Sequence, residues 1–206
     1  MVKILILGGG FGGIRCALDL SKKIGDKAKT TLIDKNSYHL FAPALYEVAS
    51  AYGVKKDPFA VRIKKTIRIP YSDIFENKKI NFIQAEVTAI DLANKKVATS
   101  GGEILDYDYL VIALGSQAAD LDIPGVKEYA FQFKNLEDAL LLNQKIDELA
   151  KEVAIGVRAR PIKMAVVGAG FTGIEVAAEF ACYIKKLFKT RGVKGRCERI
   201  MILQSG

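Results

Sequence analysis

The chain has 206 residues and a formal net charge of +8, with 50% of its residues hydrophobic and 26% charged. That is enough for one or two domains with a real core, in the ordinary composition of a globular protein. No apolar run reaches the roughly 18 residues that span a bilayer. Cys16, Cys182 and Cys197 form no C-x-x-C pair and His39 is the only histidine, which excludes a disulfide framework, a redox-active cysteine pair and a histidine-based metal cluster and favours a reducing compartment.

The chain opens with VKILIL, residues 2–7, a strand too short for a signal-peptide core. It runs into Gly8, Gly10 and Gly13 in the pattern G-x-G-x-x-G, and a helix is predicted over 11–24. In a βαβ unit the first glycine makes the tight turn. The second lets a pyrophosphate approach the backbone, and the third lets helix and strand pack closely, with the phosphates on the N–H groups of the helix N-terminus. The pattern alone is weak. Following a strand and opening a helix is the context that gives it meaning.

A strand is predicted over 29–34, ending in Asp34, about twenty residues past Gly13. A carboxylate there accepts hydrogen bonds from ribose hydroxyls; a strand-end turn former is the alternative. The stretch NSYHLFAPALYEVASAYG, broken by Pro43, predicts loop and short helix, and DPFAVRIKKTIRIPYSDIF is ambiguous. Residues 80–114 read as short strands with turns at Asn94-Lys95 and Gly101-Gly102. The last of them, YLVIAL, has the continuous apolar character of a parallel strand buried on both faces. GSQAADLDIPG is a linker by its composition. A helix follows, capped by Asn135 with Asp138 completing a capping box, and its predicted apolar stripe is Leu136, Leu140, Ile146, Leu149 and Val153.

A second unit then opens. IKMAVVG leads into Gly168, Gly170 and Gly173 with the same spacing. GGGFGGIRCALDL and GAGFTGIEVAAEF match in three glycines, a Phe, an Ile and an Ala, a repeat of one supersecondary unit and not a solenoid. Much of the positive charge lies in KKLFKTRGVKGRCER, residues 185–199. It reads first as a solvated helix end and loop, second as a patch for an anionic membrane surface. No aromatic-rich motif supports nucleic acid.

The stretches GGGFGG, TLIDKNSYHLFAPALYEVAS, YDYLVIALGS, IPG, NLEDAL and GAGFTGIEVAAEF resemble successive motifs of the type II NADH dehydrogenases. The resemblance runs from residue 2 to 206, and YHLFAPALYEVA and GFTGIE are its most specific parts. It implies an α/β protein: a Rossmann-like FAD-binding domain, here 1–118, with an inserted second Rossmann-like NAD(H)-binding domain, here 119–206. It also implies a single-subunit NADH:quinone oxidoreductase of the respiratory chain. Such a protein is peripheral on the inner, cytoplasmic face of the cell membrane through C-terminal helices, and a homodimer is expected. By the same resemblance the chain looks like the N-terminal part of a longer protein, with both domains incomplete. By itself it is expected to hold FAD poorly and to be inactive.

Carried over by resemblance, Gly8, Gly10, Phe11 and Gly13 match the FAD pyrophosphate loop, and Asp34 with Lys35 the adenosine ribose end. Pro43 and Ala44 lie near the flavin ring, Val87 meets the adenine, and Ala113, Leu114 and Gly115 flank the cofactor's path, plain core being the alternative for Ala113 and Leu114. Gly168, Gly170, Phe171 and Gly173 match the NADH pyrophosphate loop. Glu175 of GFTGIE, placed in the first helical turn, is implied to relay protons to quinone or to position it, against a plain helix-dipole role. Gln204 ends the strand RIMIL where the family usually carries an acid, so use of NADP(H) beside NAD(H) is expected. Readings kept open are a sulfide:quinone oxidoreductase, which needs positioned cysteines, another pyridine-nucleotide flavoprotein reductase, and a nucleotide-sensing module without turnover.

Overall fold

The computed structural model describes residues 1–51, 66–118, 122–158, 162–194 and 198–204. Its contacts divide the chain into two compact units, Met1–Leu40 with Arg68–Gln117, and Phe41–Ile67 with Ala118–Gly206. The sequence suggested a single boundary after residue 118; by contacts, Phe41–Ile67 goes with the second unit.

In the first unit, β1 (Val2–Leu7) leads through the Gly loop into α1 (Phe11–Lys23) and returns as β2 (Ala28–Asp34). β1 lies between β2 and β9 (Tyr109–Ile112), and β2 pairs outward with β5 (Ile80–Gln84), all parallel, in the order β5-β2-β1-β9. Successive side chains of a strand point to opposite faces. Ile6 and Leu32 therefore pack with Ala17 of α1 and with Tyr71, while Leu5, Leu7 and Ile33 pack on the other face with Val97 and Tyr107. Ile6, Leu7 and Leu32 are fully buried, each worth about 1.5–3 kcal/mol against exposure.

The second of those faces is covered by an antiparallel sheet, β6 (Val87–Asp91), β7 (Lys96–Thr99) and β8 (Ile104–Asp106). Its turns carry Lys95 at φ 53° and Gly102 at φ 79°, at the two dipeptides predicted. β9 departs from expectation. It is parallel, as YLVIAL suggested, but it edges the described sheet, and Tyr109 and Ile112 are 64% and 59% exposed. An apolar run marks burial only where both faces are covered. The stretch read as loop and short helix also contains β3 (Tyr38–Leu40), antiparallel to β4 (Arg68–Pro70). Three residues are too few to show a period, and the partner lies thirty positions away. A one-turn helix, α3 (Tyr71–Ile74), follows β4.

In the second unit, α2 (Leu45–Ala49) packs against α5 (Leu136–Ala154) and α6 (Phe171–Thr190), after the one-turn α4 (Val126–Tyr129). β10 (Ile162–Val167) pairs in parallel with β11 (Glu198–Leu203). The buried line of α5 is Leu136, Ala139, Asn143, Ile146 and Ala150, a 3-4-3-4 spacing. Leu136 and Ile146 of the expected stripe are on it. Leu140, Leu149 and Val153 flank it half-buried, the remaining buried places being taken by Ala139, Asn143 and Ala150. The expected linker within GSQAADLDIPG has no regular structure over its described residues, with 119–121 outside them.

Candidate functional site

Both Gly loops are strained turns held from behind by a parallel strand. Gly8 sits at φ 99° and its N–H donates to the Ile33 carbonyl at 2.8 Å. Gly168 sits at φ 103° and donates to Leu203, also at 2.8 Å. These left-handed positions require glycine. The third glycine of each loop has no room for a side chain. A Cβ on Gly13 would lie 1.8 Å from the Gly8 carbonyl oxygen, and one on Gly173 would lie 1.9 Å from that of Gly168. The middle glycines differ: around Gly10 and Gly170 a Cβ would meet nothing within 4 Å. Backbone conformation explains the first glycine of each loop, and close packing the third. The open space over the second is what an approaching pyrophosphate would require. Gly10 and Gly170 are the N-caps of α1 and α6 and offer no side chain to the first helical N–H groups, which leaves that end suited to an anion.

The strand ends close on the loops. The Gly9 N–H donates to Asp34 Oδ2 at 2.6 Å, and Asp34 Oδ1 accepts from Asn36 N–H at 2.8 Å. In the second unit the Ala169 N–H donates to Gln204 Oε1 at 2.7 Å. The pairing Val167↔Leu203 repeats Leu7↔Ile33, so Gln204 occupies the place of Asp34. The longer spacing before it is taken up by α6, of 20 residues where α1 has 13, and by a loop partly outside the described residues.

The first loop has a further support that sequence reading missed. Tyr71 Oη donates to the Gly9 carbonyl at 2.9 Å, and His39 Nδ1 lies 3.1 Å from the same oxygen. The acceptor is a carbonyl, so His39 carries its proton on Nδ1. Burial first, and the Asp34 carboxylate next, push the Tyr71 hydroxyl far up, so it remains a donor. Phe11 meets the His39 ring edge-on at 4.7 Å. No local signal announces Tyr71, which lies 62 positions from Gly9.

The other expected residues distribute as follows. The Ala113 N–H donates to Leu7, and its carbonyl oxygen would stand 2.3 Å from a Cβ on Gly8. Ala113 therefore comes up beside the loop, Leu114 is 55% exposed instead of core, and Gly115 turns away at φ 75°. Val87 begins β6, just beyond Gln84, the β5 partner of Asp34. Lys35 is exposed beside Asp34. Pro43 and Ala44 lie in the single turn Ala42–Ala44 before α2, in the second unit. Phe171 is almost fully exposed.

Glu175 is exposed and is the fifth residue of α6, beyond the first turn in which it was expected. This weakens the helix-dipole account, because that effect falls off within a turn. Glu175 instead belongs to an acidic group between α6 and α2. Burial, then Glu47, Glu175 and Glu179, push the Tyr46 hydroxyl up, and Ser50 Oγ donates to Glu179 at 3.0 Å.

A family model described as pyridine nucleotide-disulphide oxidoreductase matches residues 2–201. The chain belongs to that family. It is 35% identical over 206 residues to a type II NADH:quinone oxidoreductase of Staphylococcus haemolyticus, covering 98% of this chain and 49% of the relative. It is 36% identical over 194 residues to the enzyme of that name from Staphylococcus aureus, covering 93% and 46%. The chain thus spans about half the length of the curated relatives it matches. Among solved structures it is similar to NDH2 of Plasmodium falciparum in complex with NADH, with a TM-score of 0.79 at 28% identity over 100% of this chain and 42% of that one. It is also similar to the sulfide:quinone oxidoreductase of Aquifex aeolicus, with a TM-score of 0.74 at 26% identity over 99% and 43%. The two-loop α/β fold is that of this oxidoreductase family. Despite the family's name, the described cysteines, Cys16 and Cys182, are free thiols, and Cys197 lies outside the described residues.

Proposed function

We propose that the chain provides the FAD seat and the NAD(H) seat of a reductase that passes electrons from NADH through FAD to a quinone. One observation carries this reading: the same loop, helix and strand-end construction occurs twice, each time with open space over the middle glycine. The names of the curated relatives supply the substrates. Bound in its seat, FAD would supply two-electron chemistry between NADH and the acceptor.

The residues of this chain prepare for it. Gly8, Gly10 and Gly13 let the α1 N-terminus meet the pyrophosphate. Asp34 accepts from the ribose hydroxyls with Lys35 beside it, Val87 lines the adenine end, and Ala113, Leu114 and Gly115 edge the path of the cofactor. Pro43 and Ala44 are assigned by resemblance to the neighbourhood of the flavin ring. Gly168, Gly170, Phe171 and Gly173 receive NADH. Glu175, near Glu179 and Tyr46, relays protons to the reduced acceptor or positions it. The complete protein works as a peripheral protein at the inner face of the cell membrane; no described helix is long and apolar enough to cross one.

A sulfide substrate draws no support from Cys16. Burial first and Asp19 second push the Cys16 thiol up, which leaves little nucleophilic thiolate. The test is spectroscopic. The complete protein carries a flavin absorbance band that bleaches on adding NADH and returns on adding a quinone. A protein without flavin, or a flavin that NADH fails to bleach, overturns the reading.

A further inference from the structure

The two loops are built alike down to one hydrogen bond, and they differ in the residue that makes it. Gly9 N–H donates to a carboxylate oxygen of Asp34, and Ala169 N–H donates to the carboxamide oxygen of Gln204, at 2.6 and 2.7 Å. Strand register and the Gly8-to-Ile33 and Gly168-to-Leu203 bonds agree between the copies. A side chain at this place stands over the 2′ position of a bound adenosine ribose. A carboxylate there accepts from the 2′-hydroxyl and repels a 2′-phosphate. Gln204 has no charge to repel it. The Ala169 bond also sets the amide flip: its oxygen faces the loop, so its nitrogen, a donor only, is on the other side of the carboxamide.

We propose that Gln204 sets the donor specificity of the second site, and that the site takes the 2′-phosphorylated dinucleotide NADPH as well as NADH. This rests on the reading above, in which the second loop holds a nicotinamide dinucleotide. Neither chain neighbour of Gln204, Leu203 or Ser205, is basic. A phosphate thus gains no cation from these two neighbours.

The test is binding, read from the fluorescence of NADH and NADPH titrated separately into the complete protein. ADP-ribose and its 2′-phosphate serve as competitors. NADPH is expected to bind within about ten-fold of NADH, and Gln204→Glu to weaken NADPH at least about ten-fold relative to NADH through charge repulsion. The Glu variant keeps an oxygen for the Ala169 N–H, and an unchanged thermal midpoint and FAD content verify that it folds. Wild-type protein that discriminates against NADPH by roughly a hundred-fold or more, or a Glu variant with an unchanged ratio, overturns the inference. If NADH binds and NADPH does not, this inference alone falls. If neither binds, the reading of the second loop falls with it.

Discussion

Gly13 and Gly173 have nowhere to put a methyl group, since the obstacle in each case is a backbone carbonyl. Gly10 has the room and still carries none. The two kinds of glycine are separable by experiment. Gly173→Ala should destabilise the second unit by about 1–3 kcal/mol, as overpacking does, in a denaturant titration. Gly10→Ala should change stability by less than about 1 kcal/mol, as an N-cap exchange, yet lower FAD content severalfold in the purified complete protein. Full flavin occupancy in that variant would mean the cradle over Gly10 is not the pyrophosphate seat. At Glu175 the expected outcome of Glu175→Gln in the complete protein is slower quinone reduction with FAD content and NADH-driven bleaching unchanged; equal rates would return the residue to a plain surface role. The tight turns at the glycines and the strand end at Asp34 were legible because motif spacing and strand pattern are local. Tyr71 and the Nδ1 proton of His39 were not, because their partner is a carbonyl that only the folded chain brings near.

At the scale of elements, α5 shows both what periodicity reveals and what it hides. Its start was readable: Asn135 accepts from Asp138 N–H at 2.8 Å, and the Asp138 carboxylate accepts from Asn135 N–H at 3.0 Å. Asn135→Ala should cost about 1 kcal/mol of stability, measured by thermal or denaturant unfolding. The buried face was less readable, because its centre is polar. The Asn143 amide donates to the Ala49 and Ala51 carbonyls at 2.8 and 3.0 Å and lies 3.1 Å from the Tyr183 hydroxyl. That residue fastens α2 to α5, so a leucine there would leave two buried carbonyls unpaired. Asp147 ties α5 to the C-cap of α6 through Arg191, and pairs within α5 with Lys151 at 2.8 Å. Burial alone would raise its carboxyl; the hydrogen bonds and charges of Lys151 and Arg191 outweigh that and hold it below the ordinary carboxylate value. A depressed carboxyl stabilises above its unfolded pKa of about 3.9 and loses that stabilisation as pH falls through the folded value. Wild type should therefore be more stable than Asp147→Asn at neutral pH, and the two should converge as pH drops below about 4. A difference that persists undiminished into acid would show that the tie is not ionic.

For the molecule as a whole, the repeated unit was the most legible feature, and the allotment of chain between the units the least. Phe41–Ile67 joins the second unit through bonds spanning 94 and 129 positions, Asn143 to Ala49 and Ser50 to Glu179. No sequence window contains both ends of such bonds.

The hydrogen bond from each loop to its strand end also constrains descent. A lineage that alters residue 204 keeps this bond only with residues that still present an oxygen to the Ala169 N–H; a hydrophobic or basic replacement takes that acceptor away. Glutamine and glutamate are neighbours in the genetic code and both keep that oxygen. If Gln204 sets the donor as proposed above, that choice is open to reversal by a point mutation, while the bond that holds the loop is kept across the change.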